Sequence, residues 1–320
     1  MNLDNRQVIL LAYGGSIAYG TNIETSDVDT RGICLNTVDE LIGLDSMNQL
    51  EDKEEDTVIY SFNKVIKLLM NVNPNVIEML GCKPEHYLTL DKYGKMLLDN
   101  SDLFLSQRAV NSFGGYANSQ LRRLQNALAR DQYPQSEKEV HILNSITNQM
   151  THINENYNEG HGINLYIDKS NKDDFEEEIY MNINTTHYPL RDFKAIYSEM
   201  HNVVKDYNKL NHRNKKKDNI HLCKHAMHLV RLFMMGSEIL EGKGINTYRE
   251  NDRELLLSIR NGFYQNDDTT FNSSFWDLVN EYENKFKYAR DNTNLPSKPN
   301  RNKINELVVE INKGVILSEN

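Results

Sequence analysis

The twenty residues Tyr13-Gly14-Gly15-Ser16-Ile17-Ala18-Tyr19-Gly20-Thr21-Asn22-Ile23-Glu24-Thr25-Ser26-Asp27-Val28-Asp29-Thr30-Arg31-Gly32 constrain this chain more than any other stretch. The apolar run 8–12 before them has polar residues on one side and glycines on the other, which predicts a short buried strand. Gly14 and Gly15 end it. Without Cβ atoms they permit a sharp turn and a close ligand approach, so that the Ser16 hydroxyl and the following amides face a phosphate at a helix start. Asp27 and Asp29 are two apart, and a strand through them puts both carboxylates on one face. Two carboxylates side by side repel each other unless a cation lies between them. The pair suits one or two Mg²⁺ ions, which take oxygen ligands and bridge to substrate phosphates.

Gly15-Ser16 followed by Asp27-Val28-Asp29 resembles the signature of the DNA polymerase β-like nucleotidyltransferase superfamily. The longer string, from Gly15-Ser16 through Ala18-Tyr19-Gly20-Thr21-Asn22 to Ser26-Asp27, Asp29 and Arg31-Gly32, is similar to a predicted nucleotidyltransferase family linked to RNA repair pathways. The resemblance implies that Gly15 and Ser16 hold a triphosphate and that Asp27 and Asp29 bind Mg²⁺, with Mn²⁺ as its substitute. It also implies a third carboxylate on a neighbouring strand, which completes the metal site and acts as base toward the attacking hydroxyl. Asp56 is the candidate, because it opens the next convincing strand, 56–62, which is rich in β-branched and aromatic residues. Glu54 and Glu55 are its rivals.

A chain of 320 residues has room for two domains at about 150 residues each. Its 39% hydrophobic and 26% charged residues are those of an ordinary globular protein. A net charge of −10 argues against a broad surface for non-specific nucleic-acid binding, but not against a local basic groove. Cys34, Cys82 and Cys223 are odd in number and widely spaced, which predicts neither a disulfide framework nor a zinc site. The start of the chain lacks a signal-peptide layout, and no apolar run reaches the roughly 18 residues of a membrane helix. The expectation is a cytoplasmic, soluble protein.

Helical spacing of apolar residues appears at 63–70, and Asn73-Pro74-Asn75 starts another helix. From about residue 90 the pattern is mainly helical, with helices expected at 109–129, 141–156, 193–208, 275–291 and 302–312 and a short strand at 164–168. Arg122 and Arg123 on the first of these, and the basic cluster 212–218, are candidate phosphate or RNA contacts. In His221-Leu222-Cys223-Lys224-His225-Ala226-Met227-His228-Leu229-Val230-Arg231, the residues Lys224, His228 and Arg231 share one helical face, while Leu222, Ala226 and Leu229 pack on another. The family resemblance extends to this Lys-His-x-x-His-x-x-Arg string and marks Lys224, His228 and Arg231 as nucleotide contacts.

The sequence therefore predicts an α+β chain, with a small mixed sheet at 1–90 as the nucleotidyltransferase core and a larger helical domain at 91–320 that binds nucleotide and acceptor. The expected reaction moves a nucleoside monophosphate from a triphosphate to an acceptor hydroxyl. The family points to an RNA or tRNA end as acceptor; a protein or small-molecule hydroxyl would use the same acids. The competing class is a non-catalytic nucleotide- or RNA-binding module, or an antitoxin-like partner. Paired acids that repel phosphate in the absence of metal speak against it.

Overall fold

A computed structural model of the chain describes residues 6–52, 54–132, 162–169, 177–194, 219–267 and 270–318, with the isolated positions 143, 197, 201 and 204. By compactness the chain forms two units, 1–123 with 219–320, and 124–218. The boundary expected at residue 90 lies inside the first of them.

The first unit contains a mixed five-stranded sheet of β1 (Val8–Tyr13), β2 (Thr30–Cys34), β3 (Gln49–Asp52), β4 (Thr57–Ser61) and β5 (Tyr87–Leu90), in the order β3-β4-β2-β1-β5. β2 and β4 run parallel, and the other neighbouring pairs are antiparallel. β1 forms where the sequence predicts, with Ile9, Leu10 and Ala12 fully buried. A parallel pair needs a crossover, and here it runs through α2 (Val38–Ile42) and the edge strand β3. A capping box between Thr37 and Glu40 starts α2, by satisfying orphan amides of its first turn. The segment 36–55 reads as an acidic loop in the sequence. β3 hides there because Gln49, Leu50, Glu51 and Asp52 pair at a sheet edge without full burial.

After β4 the chain turns into α3 (Phe62–Leu69), which buries Phe62, Val65, Ile66 and Leu69. The short α4 (Pro74–Ile77) begins at an Asn73 cap with proline at its first position, where the missing N–H has no consequence. Helices then dominate: α5 (Lys92–Asp99), α6 (Arg108–Gln132), α7 (Asn219–Leu240), α8 (Arg253–Arg260), α9 (Ser273–Asn292) and α10 (Arg301–Ser318). The chain is α+β, as its sequence predicts. α7 is buried at every position from Leu229 to Met235, and each such apolar side chain contributes about 1.5–3 kcal/mol.

In the second unit, β6 (Gly162–Lys169) pairs antiparallel with β7 (Glu177–Asn184), and the strand expected at 164–168 falls within β6. All but residue 143 of the expected helix 141–156, most of 193–208, the cluster 212–218 and the side chains of Arg122 and Arg123 lie outside the described residues. Among the described residues, no helix is long and apolar enough to cross a membrane.

Candidate active site

The site is built on the turn that ends β1. Gly15 adopts a φ of 53°, opens α1 (Gly15–Tyr19), and the helix closes at Gly20 with a φ of 71°. The Gly14 N–H donates to the Asp29 carbonyl at 2.8 Å, which carries the β1–β2 pairing one step past the strand ends. The Asp29 carboxylate fills the space where a side chain at position 15 would stand. A Cβ there would overlap Oδ2 and lie 2.8 Å from Cγ. The close approach that the glycines permit is thus taken up by the second acid of the motif.

The strand expected through both acids begins only at Thr30, so Asp27 and Asp29 lie in the extended segment before β2. The partner strand explains the late start. β4 begins at Thr57, and the residue before it, Asp56, turns through a left-handed φ of 45°, a conformation that aspartate tolerates better than most residues. The Thr30 N–H donates to the Asp56 carbonyl at 3.1 Å, and the hydroxyls of Thr30 and Thr57 meet at 2.6 Å. Main-chain bonding therefore sets Asp56 against the base of β2.

Burial pushes the Asp29 carboxyl above its ordinary value, Arg31 opposes this, Asp56 adds to it, Lys224 opposes and Asp27 adds. Three acids and two cations share one electrostatic neighbourhood. Glu54 and Glu55 instead line, with Asp27 and Asp56, a cleft of about 730 Å³ walled by Leu11 and Ile59. Among the described residues, no three His, Cys, Asp or Glu side chains form a set that could enclose an ion. The oxygen donors present suit a hard cation whose coordination substrate phosphates complete, as is usual for Mg²⁺.

Of the three α7 positions, Lys224 is exposed, whereas His228 and Arg231 turn inward. The Arg231 side chain is 4% exposed. Its guanidinium carbon stands 3.2 Å over the Tyr19 ring centroid, and it donates to His228 Nδ1 at 2.8 Å. A guanidinium offers only donors, so His228 accepts at Nδ1 and carries its proton at Nε2. Burial, with the positive charges of His225, Lys224 and Arg260, lowers the His228 pKa to about 4. A shared helical face does not give a shared environment here, because α7 is open at Lys224 and covered on all sides only from Leu229 onward.

Three residues that the sequence reading left out of the site now join it. Arg31 passes beside Gly14, 3.3 Å from where a Cβ would stand, on the same side as Asp29. Glu78 lies between two cations, 3.7 Å from Arg31 Nε and 4.0 Å from Arg231 Nη1. Burial pushes its carboxyl well up. Tyr19 carries Arg231 on its ring. Arg31 and Tyr19 both stand in the longer family-like string, which carried their signal without giving them a role; Glu78, after the helix start Asn73-Pro74-Asn75, reads in the sequence as structural, with a part in shaping the site as the alternative.

The loop after α1 is held by α8. Arg253 Nε donates to the Gly20 carbonyl at 2.7 Å, and Arg260 donates to the Thr21 carbonyl at 2.6 Å and to Ser26 Oγ at 3.2 Å. The Arg249 N–H bonds the Tyr19 carbonyl at 3.0 Å, and its guanidinium grips Glu238 through two bonds of 2.7 Å. Arg253 and Arg260 thus serve the motif loop with their side chains, whereas Arg249 meets it only through its main chain.

The model of the RNA repair pathway DNA polymerase beta family matches residues 2–157, a span that holds the whole turn and all three acids and ends before α7. No curated protein and no solved structure matches the chain.

Proposed function

We propose, from the match of residues 2–157 to the model of that family, that the chain is a Mg²⁺-dependent nucleotidyltransferase that moves a nucleoside monophosphate from a triphosphate to the hydroxyl of an RNA end. The observation that carries this reading is Asp29 pressed against Gly15 while Asp27 and Asp56 act on its charge. A site that only gripped phosphate would have no use for three repelling carboxylates. Gly15 and Ser16 bind the triphosphate at the turn. Asp27 and Asp29 hold Mg²⁺, which supplies neutralising charge to the phosphates. Asp56, fixed by its carbonyl bond to Thr30, takes the proton of the acceptor hydroxyl; the acceptor oxygen then bonds the α-phosphorus as the bond from that phosphorus to the bridging oxygen breaks and pyrophosphate leaves. Lys224, the exposed cation of α7, neutralises charge on the departing group. Asp56 is preferred over Glu54 and Glu55 because it acts directly on Asp29.

The test is transfer of label from each of the four α-labelled nucleoside triphosphates, with Mg²⁺, into cellular RNA. The double variant Asp27→Asn/Asp29→Asn runs alongside. The expected result is label in RNA from the unmutated protein only. Equal labelling by the double variant would refute the mechanism.

A further inference from the structure

Arg31 passes beside Gly14 at the turn, yet it is poorly matched to the partners it has. Its contact with Glu78 is 3.7 Å, which is ion-pair range and longer than a hydrogen bond of about 2.7–3.2 Å. Its Nε is buried and has no hydrogen-bond partner. The side chain is 26% exposed, runs past Gly14 and acts on Asp29. A guanidinium has five N–H donors in a fixed fork, a shape that matches phosphate oxygens. Arg231 is the reverse case: it is 4% exposed and committed to Tyr19, His228 and Glu78. Glu78 joins the two, and its own carbonyl accepts the Thr247 hydroxyl at 2.7 Å.

We propose that Arg31 is a triphosphate-binding residue and that Glu78, anchored by buried Arg231, is the positioning residue that aims it at the turn beside Gly14 and Asp29. Arg231 never meets nucleotide; it holds Glu78 on one side and Tyr19, the last residue of α1, on the other. The fork of Arg31 is held loosely by one distant carboxylate and is free to exchange it for phosphate oxygens. The assignment rests on the nucleotidyltransferase reading and names a contact within that same site.

Equilibrium binding of the four Mg²⁺-nucleoside triphosphates and their monophosphates tests it, with Arg31→Met, Glu78→Gln and the double variant. Charge-assisted hydrogen bonds of this kind correspond to a loss of about ten- to hundredfold in affinity. Arg31→Met is expected to lose that much for the triphosphate and little for the monophosphate. Glu78→Gln should show a smaller loss of the same selectivity, and the double variant should bind no worse than Arg31→Met, since Glu78 acts only through Arg31. Thermal melting checks that each variant is folded. Wild-type triphosphate affinity in Arg31→Met overturns the assignment of Arg31 alone. Additive losses in the double variant overturn the positioning role of Glu78. Wild-type protein that binds no triphosphate overturns the nucleotidyltransferase reading and this assignment with it.

Discussion

Gly15 and Asp29, fourteen residues apart in the motif, occupy adjoining space so closely that the absence of a side chain at one sets the position of the carboxylate at the other. Gly15→Ala meets two obstacles: the overlap with Oδ2, and a left-handed φ that costs a residue with a Cβ about 1–2 kcal/mol. Displacing a reacting carboxylate by about 1 Å costs on the order of a hundredfold in rate. Single-turnover transfer is expected to fall by at least that factor, while the melting temperature falls by only a few degrees.

Asp29→Asn should make the protein more stable, not less, when no metal is present. Burial raises the Asp29 pKa above 3.8, so the folded state binds its proton more tightly than the unfolded one. Stability is then lost as pH rises from 3.8 through the folded value and stays lost above it. At pH 7 without Mg²⁺ the variant should melt above wild type, and the gap should close below pH 3.8. Added Mg²⁺ should raise the wild-type melting temperature and leave the variant where it was. Melting curves across pH, with and without Mg²⁺, check both statements.

His228 gives the opposite slope. Its folded pKa of about 4 lies below the ordinary 6.5, so stability is present above pH 6.5 and lost as pH falls toward 4. The difference is worth up to about 3 kcal/mol at roughly 1.4 kcal/mol per unit. Urea unfolding of wild type should weaken over that window, and His228→Asn should show a flatter profile.

Loosening the motif loop should affect turnover more than folding. Arg253→Ala and Arg260→Ala each remove charged donors from carbonyls of the Gly20-Thr21 segment. Such bonds contribute about 1.5–3 kcal/mol each. The expected outcome is a drop in transfer rate of about tenfold or more, with faster amide exchange at residues 21–27. Exchange mass spectrometry alongside kinetics separates this from global unfolding.

What the sequence made legible was whatever local periodicity or residue chemistry encodes. β1, α3 and α7 could be read from apolar spacing, and the glycine turn from its lack of side chains. β3 and β5 escaped because Gln49–Asp52 and Tyr87–Leu90 are short edge strands with no buried position, β3 alternating only between exposed and half-buried residues, so no apolar pattern marks them. The inward turn of Arg231 was hidden for another reason. One helix face shows which residues align, but what lies against it depends on Tyr19 and Glu78, far away in the chain. Likewise, nothing near Arg253 or Arg260 indicates that their partners are the carbonyls of Gly20 and Thr21.

Those last two bonds span 233 and 239 residues of chain. At a synthesis rate of about 5–20 residues per second, the turn emerges from the ribosome on the order of ten seconds or more before the arginines that fasten its loop. During that interval the nascent motif has its glycines and acids but not its restraints. Fastening of the motif loop is therefore a late event as this chain is made, and an mRNA cut short before the codon for Arg253 yields the glycines and acids of the motif without the clasp that holds their loop.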